Sequence, residues 1–513
     1  MRALALPRGD AWLVAAGAAL TVLAYPPFHL FVPSFTCLVP ALLLVVRGGE
    51  DPRPLRRHLV QGWWFGLASH GLVLCWMVYA LWHFTPLSAL GYAATIAILA
   101  METAAVFAAT GWIGRQLGLG PLVAFPVLWT AVEWVIGHQG DIRFPWLGLG
   151  TSLTGYPLVV QIAEVIGARG VTLALAAANA ALALAWLHRA DRGRAIRFAL
   201  PVVAGIAVAV GYGLVRGQSI ELRSLGTVTA LQPAVGFREK WDAGLRDSIA
   251  NDLFGLHQRA LRETRPDLVL WPEAALPDFL ERWPSWEGKV RSLVAGSAVP
   301  VVVGGVALRA RAEGGWDYFN AAFLFDSTGR RDTSPPYHKR YLVPIVERVP
   351  FVNPRWFSGL RWFGGFGVGD PGAVYRVGMG RFGILICYES AFEEVARRYR
   401  RNGADFVVNI TNDAWFGNTA APYQHAAHLV MRAIENRVGI ARAANTGISE
   451  FVDPLGRAHH QTRLGDRTVV AGEVFTTDVR TLYTLAGDWV GTLAVGSALL
   501  MLGTAWWRGR RRP

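Results

Sequence analysis

The sequence predicts a polytopic α-helical membrane domain joined to a soluble domain built from short buried strands and helices. Three observations predict it. Residues 1–215 hold a succession of apolar stretches near bilayer length. The chain is too apolar and too rich in tryptophan for an ordinary soluble enzyme, with mean hydropathy +0.30 and 21 Trp in 513 residues. The second half carries short, β-branched apolar runs that end on residues able to do chemistry.

Seven spans are expected in the first part: Ala11–Tyr25, Leu30–Val46, Gly62–Leu81, Leu87–Ile113, Leu122–Val135, Pro157–Leu187 and Phe198–Val215. Several approach the ~20 residues that cross a bilayer; the first, second and fifth are short for it. An eighth, Leu482–Trp507, closes the chain. The first span follows Arg2 and Arg8 as a signal peptide would. Tyr25-Pro-Pro-Phe28 stands where a small-residue cleavage site belongs, so the span is read as retained.

The spacers set the orientation. Arg47, Arg53, Arg56 and Arg57 lie in one, Arg115 in another, Arg189, Arg192, Arg194 and Arg197 in a third. The tail adds Arg508, Arg510, Arg511 and Arg512. Between them, Pro26–His29 and Trp82–Pro86 carry no Lys or Arg, and His138–Tyr156 carries only Arg143. Positive charge marks the cytoplasmic side. Both termini are therefore expected in the cytoplasm, and residues 216–481 outside it. The division expected is 1–220 for seven membrane helices, 221–478 for the soluble domain, and 479–513 for the eighth helix and basic tail. The net charge of +13 reads as topology signal and contact with anionic headgroups. No nucleic-acid-binding motif is present.

Cys37 and Cys75 fall inside apolar spans, so no disulfide framework is implied. That leaves Cys387, in Arg381-Phe-Gly-Ile-Leu-Ile-Cys-Tyr-Glu-Ser390. Phe382–Ile386 reads as a buried strand, and Ala391–Arg400 as a helix with acids early and arginines late. A cysteine at such an elbow meets helix-start amides that favour thiolate. A free cysteine is also commonly a buried packing residue, and alone Cys387 fits either reading.

Two further segments tip the balance. Leu268-Val-Leu-Trp-Pro-Glu-Ala274 is another apolar strand; Pro272 ends it and leaves Glu273 at its edge. Tyr337-His-Lys-Arg-Tyr-Leu-Val-Pro344 carries Lys339. Glu273 is suited to take the thiol proton, and Lys339 to stabilise a tetrahedral oxyanion. Singly, each is an ordinary surface charge or strand cap.

The Glu273–Lys339–Cys387 order and its local motifs resemble the nitrilase (carbon–nitrogen hydrolase) superfamily, from near Gly226 to near Val474. The resemblance implies a nitrilase-like α-β-β-α sandwich, so the fold expected is the polytopic α-helical membrane domain read from hydropathy plus that sandwich. Glu133-Trp134, Phe144-Pro-Trp-Leu147, Lys240-Trp241, Asn320, Glu347, Cys387-Tyr388-Glu389 and Asn412-Asp-Ala-Trp-Phe-Gly417 are together similar to the apolipoprotein N-acyltransferase family of bacterial envelopes.

That resemblance implies a ping-pong reaction in the inner membrane, with the catalytic domain periplasmic. Cys387 takes an acyl chain from a phospholipid, typically phosphatidylethanolamine, as a thioester. The α-amine of a lipoprotein's N-terminal diacylglyceryl-cysteine then receives it, the last step of lipoprotein maturation. No cofactor or metal is needed. Glu347 is assigned an essential supporting role. Glu389 is expected either to orient Lys339 and tune the thiol or to hold the elbow. The Tyr388 backbone N–H is suited to complete an oxyanion hole. Trp241 reads as a substrate contact or a plain core residue.

Residues 351–372 mix large aromatics, arginines and glycines with no phosphate-cradling Gly-Lys-Ser/Thr. They are expected to lie at the membrane surface, with Trp356, Trp362, Phe363 and Phe366 as lipid contacts. His425 and His428, three apart on an expected helix Gln424–Val438, have a spacing that can bind metal, but the thiol chemistry needs none. His459-His460 reads as a turn pair. A Cys387–His dyad is an alternative that the Glu–Lys motifs make unnecessary. Two other functions fit in part: a tethered amidase using water as acceptor, and a non-catalytic scaffold. Eight spans argue against the first, and the intact Glu273, Lys339 and Cys387 against the second.

Overall fold

The computed structural model describes residues 5–82, 88–312, 315–331, 336–353 and 365–511. The chain divides into two units, Met1–Ser219 with Ala486–Pro513, and Ile220–Leu485.

The first unit is helical. It runs α1 (Arg8–Ala24), α2 (Phe31–Thr36), α3 (Val39–Gly49), α4 (Pro54–Val73), α5 (Trp76–Trp82), α6 (Ser88–Leu117), α7 (Pro121–Ile136), α8 (Ala163–Leu187) and α9 (Arg192–Ser219), and the helix Trp489–Arg510 belongs to it. Five described helical segments are long and apolar enough to cross a membrane, with α4 and α5 together making a sixth, bent by 59°. These helices fit a membrane protein. α7, at 16 residues, reaches only ~24 Å of rise against ~30 Å of hydrocarbon.

Several boundaries differ from the sequence reading. The second stretch is broken at Cys37–Leu38 and the third at Leu74–Cys75. Residues 157–162 are turns rather than the start of α8, and α8 itself kinks at Gly167, whose φ is 66°. Hydropathy averages over such breaks because the residues stay apolar while the backbone turns.

Polar side chains inside this unit face one another. Glu133 on α7 accepts hydrogen bonds from Trp129 Nε1 (3.0 Å), Leu149 N (2.8 Å) and Thr172 Oγ1 (2.8 Å). Asn179 on α8 accepts from Leu38 N at 2.8 Å and donates to Ser34 O at 3.1 Å, which ties α8 to the α2–α3 break.

The second unit is a two-sheet sandwich. One sheet has the order β12-β1-β2-β3-β4-β5, with β1 Arg223–Gln232, β2 Leu268–Leu270, β3 Val301–Ala310, β4 Trp316–Phe325, β5 Tyr337–His338 and β12 Thr468–Thr476. The other has the order β11-β10-β9-β8-β7-β6, with β6 Tyr375–Val377, β7 Gly380–Ile386, β8 Phe406–Thr411, β9 Gly439–Ala444, β10 Glu450–Val452 and β11 Ala458–His459. The centre of each sheet is parallel: β1, β2 and β3 in one, β7, β8 and β9 in the other.

Parallel neighbours need crossovers, and helices supply them. Arg246–Thr264 and Pro284–Ser297 serve the first sheet; Glu393–Arg401 and Ala421–Asn436 serve the second. The sheets face each other, β12 against β8 and β9, and β4 against β7. Helices pack outside: Arg246–Thr264 against β1 and β12, and Glu393–Arg401 against β7 and β8. Strands buried on both faces must be apolar throughout, as Phe382–Ile386 and Phe406–Thr411 nearly are.

Two local readings change. Cys387 opens a 3₁₀ turn, Cys387–Ala391, and the α-helix begins only at Glu393. His459 lies on the short exposed strand β11, beside the turn that holds His460.

The candidate active site

Three strands, one from the parallel centre of the first sheet and two from that of the second, end at one place. β2 is followed by Trp271-Pro272-Glu273, β7 by Cys387, and β8 by Asn412-Asp413. Loops at the carboxyl ends of parallel strands are where such sheets gather functional groups.

Glu273 is buried and held at both oxygens. Oε1 accepts from Asn320 Nδ2 at 2.6 Å and Lys339 Nζ at 3.2 Å; Oε2 accepts from Asn412 N at 2.8 Å. Lys339 Nζ also donates to Glu347 Oε1 at 2.9 Å, and Asn320 Nδ2 reaches the same oxygen at 2.9 Å. Val343 N caps Glu347 Oε2 at 2.8 Å. A buried ammonium thus bridges two buried carboxylates, with one amide joining both. Burial opposes the charge on Lys339, but Glu273 and Glu347 outweigh it and push its pKa well above the ordinary lysine value.

Cys387 is buried, with φ at 50°. That left-handed conformation costs a non-glycine residue about 1–3 kcal/mol, which the surrounding structure must supply. Burial, followed by the charge of Glu273, pushes the Cys387 thiol well above its usual value; Lys339 pulls the other way. The helix-start effect expected from sequence does not dominate, because burial and the carboxylates of Glu273, Asp413 and Glu347 all disfavour the thiolate. The resting group is the thiol.

Glu389 serves the backbone rather than the ammonium. Its Oε1 accepts from Tyr337 OH (2.7 Å), Arg340 N (2.8 Å) and Tyr341 N (3.2 Å), and its Oε2 accepts from Ile386 N (2.8 Å). It ties the elbow strand to the segment carrying Lys339. Glu347, not Glu389, joins the Lys339 cluster. Tyr388 is buried, its ring edge-on to Phe392 at 5.0 Å.

Trp241 is 48% exposed, so it is no core residue. Phe366 is half-buried, and its N–H donates to Glu347 O at 2.9 Å. Trp356, Trp362 and Phe363 lie outside the described residues.

Sequence reasoning left three groups without a role. Asn320, in the middle of β4, joins Glu273 to Glu347. Lys240 is buried, with Nζ 3.3 Å from the Glu273 carbonyl oxygen, and burial lowers its pKa to about 8. Asp413 accepts from His425 Nδ1 and from Arg442 Nη2, both at 2.9 Å. Asn412-Asp413 directly follows an apolar strand, as Cys387 does and as Glu273 does after Trp271-Pro272, and that repeated pattern was the available signal.

Cys387, Asp413 and His425 bring a thiol, a carboxylate and an imidazole within 4.8 Å of one another. This donor set suits a metal, but Arg442 Nη2 lies 2.9 Å from Asp413 Oδ2 and 3.2 Å from His425 Nδ1. A fixed cation already faces both would-be ligands, so the set does not fit a metal.

A buried elbow cysteine among a carboxylate and an ammonium, in a double parallel-centred sandwich, is the arrangement of a nitrilase-like domain. Residues 243–482 match the carbon-nitrogen hydrolase family, and residues 17–181 match the apolipoprotein N-acyltransferase N-terminal domain. The apolipoprotein N-acyltransferase of Geobacter metallireducens is 31% identical over 98% of this chain and 96% of its own. That of Brucella melitensis biotype 1 is 35% identical over 86% of this chain and 85% of its own. An amidase from Nesterenkonia sp. is 18% identical with a TM-score of 0.39, covering 52% of this chain and 95% of the amidase. The chain belongs to the apolipoprotein N-acyltransferase family.

Proposed function

We propose that this protein moves an acyl chain from a membrane phospholipid to the α-amine of a lipoprotein's N-terminal diacylglyceryl-cysteine, with Cys387 as nucleophile. The observation that carries the reading is the bridged pair at the elbow, Lys339 Nζ 3.2 Å from Glu273 Oε1, with both charges acting on the Cys387 thiol.

In the first half-reaction Glu273 takes the Sγ proton and the thiolate attacks the ester carbonyl. The tetrahedral oxyanion forms beside Lys339 and the Tyr388 N–H. The ester C–O bond breaks, Glu273 returns the proton to the departing alkoxide, and a lysophospholipid leaves. In the second half the acceptor amine attacks the thioester. Glu273 takes an N–H proton, the C–S bond breaks, and the thiolate recovers the proton. Burial and the charge of Glu273 both favour the thiol, so the reaction needs Glu273 to take the Sγ proton as attack begins. Glu347 keeps Lys339 charged and aimed, and Glu389 keeps the elbow and the Lys339 segment together. Trp241, Phe366, Trp356, Trp362 and Phe363 supply apolar contact to the acyl chains. Water must be kept out while the thioester waits.

The spacer arginines support an orientation with eight membrane spans, both termini in the cytoplasm and the sandwich on the periplasmic side. Phosphatidylethanolamine is the donor in this reading.

The test is the intact mass of the purified protein after incubation with phosphatidylethanolamine, beside Cys387→Ala. A hydroxylamine-labile adduct of one acyl chain, seen only with Cys387, is expected. A diacylated lipopeptide should then discharge it and gain the chain. Folded protein that forms neither adduct nor lysophospholipid sinks the proposal; discharge by water alone makes the protein a hydrolase.

A further inference from the structure

The helical unit contains a cavity of about 490 Å³ between α8 and α9. Ala174, Ala178 and Ala181 line its α8 wall, and side chains that small leave the space open. The α9 wall runs from Arg197 through Pro201 and Gly205 to Ala209. These lie four residues apart, on one face of the helix. Twelve residues of helix rise ~18 Å, close to the ~15 Å of hydrocarbon in one leaflet. The apolar window of α9 is only 11% buried, so this wall stands at the edge of the unit.

One end of the slot is charged. Arg197 lines it, and among the described residues Arg197 forms no ion pair. Arg189, Arg192 and Arg194 sit in the same short stretch of chain. The acid among them, Asp191, is taken up by Arg194 at 3.3 Å. An uncompensated guanidinium at the mouth of an apolar slot suits a phosphate above a hydrocarbon tail.

We propose that this cavity binds one acyl chain of a net-anionic phospholipid, with the headgroup phosphate on Arg197. The lipid is a bound ligand here and not an acyl donor, since no side chain lining the slot can attack an ester. The inference rests on the membrane character of the helices and is independent of the acyl-transfer chemistry.

Native mass spectrometry of the full-length protein tests it, in the Cys387→Ala background so that no lipid is consumed. The protein is titrated with phosphatidylglycerol, phosphatidylethanolamine and diacylglycerol of the same chains. Phosphatidylglycerol is expected to be retained at one copy, more tightly than phosphatidylethanolamine, with diacylglycerol weakest. Arg197→Ala should weaken phosphatidylglycerol by about fivefold, the ~1 kcal/mol of one arginine near an anionic lipid. Arg197→Lys should restore most of the loss. Ala178→Phe should remove the copy that the slot retains, whichever of the three lipids supplies it, with Ala174→Leu as the milder variant if helicity or monodispersity is lost. Equal retention of phosphatidylglycerol and phosphatidylethanolamine overturns the proposal, as does retention unchanged by Arg197→Ala and the filling variants together.

Discussion

At the scale of single residues, Cys387 is shaped against its own comfort. Its backbone is left-handed at φ 50° and its thiol is pushed well above the ordinary value. Both features carry predictions. Glycine adopts that φ without strain, so Cys387→Gly should be more stable than Cys387→Ala by about 1 kcal/mol, read as urea midpoints on the folded protein. Equal midpoints would mean that the elbow relaxes when the sulfur is removed. Alkylation of Cys387 by a neutral maleimide should stay slow through pH 9 and climb above it. Glu273→Gln removes an anion that opposes thiolate, so alkylation at pH 8 should quicken while acyl transfer falls by roughly 10²- to 10⁴-fold. If both fall together, Glu273 is not what holds the thiol protonated. Glu273 and Cys387 stand out in the sequence because one follows a proline stop and the other a buried strand; Lys339 stands out only through the motif around it. The bridging by Asn320 does not. It comes from mid-strand β4, where a polar residue reads as a break in the apolar pattern and its neighbours across the chain are invisible.

At the scale of elements, the strand ends need close backbone approach. A Cβ on Gly304 of β3 would lie 2.1 Å from Pro272 O and 2.8 Å from the Glu273 Cα. Backbone atoms cannot yield as a flexible side chain can. Gly304→Ala should therefore cost about 1–3 kcal/mol and displace Glu273, lowering acyl transfer more than it lowers the melting temperature. A variant of wild-type activity would show that the β2 edge has slack. The buried strands and the crossover helix Ala421–Asn436 could be anticipated within a few residues, because period and length carry that information. The 3₁₀ turn Cys387–Ala391 and the kink at Gly167 could not. The first is a tightened hydrogen-bond pattern at a strand-to-helix junction and the second a single residue of non-helical backbone, and neither leaves a periodicity to read.

At the scale of the whole molecule, charge and hydropathy combine into a claim about sidedness. With Cys37 and Cys75 replaced by serine, a membrane-impermeant maleimide should label Asp466→Cys in cells whose outer membrane alone is permeabilised. Ala190→Cys should be labelled only after the inner membrane is opened. The opposite pattern would reverse the proposed topology. The sequence by itself determined that apolar helices alternate with basic spacers and that a nitrilase-like domain carries glutamate, lysine and cysteine in that order. Those are properties of local composition and spacing, so they can be read along the chain. Tertiary structure decided which groups meet. It joined Glu347 rather than Glu389 to Lys339, and gave Glu389 to the backbone at Ile386, Arg340 and Tyr341. It brought Asp413 and His425 toward Cys387 and set Arg442 against them. It also made the thiol, not the thiolate, the resting state. These outcomes depend on burial and on distances between segments far apart in sequence, and a charge's effect on its neighbours is fixed only when the chain has folded and excluded water.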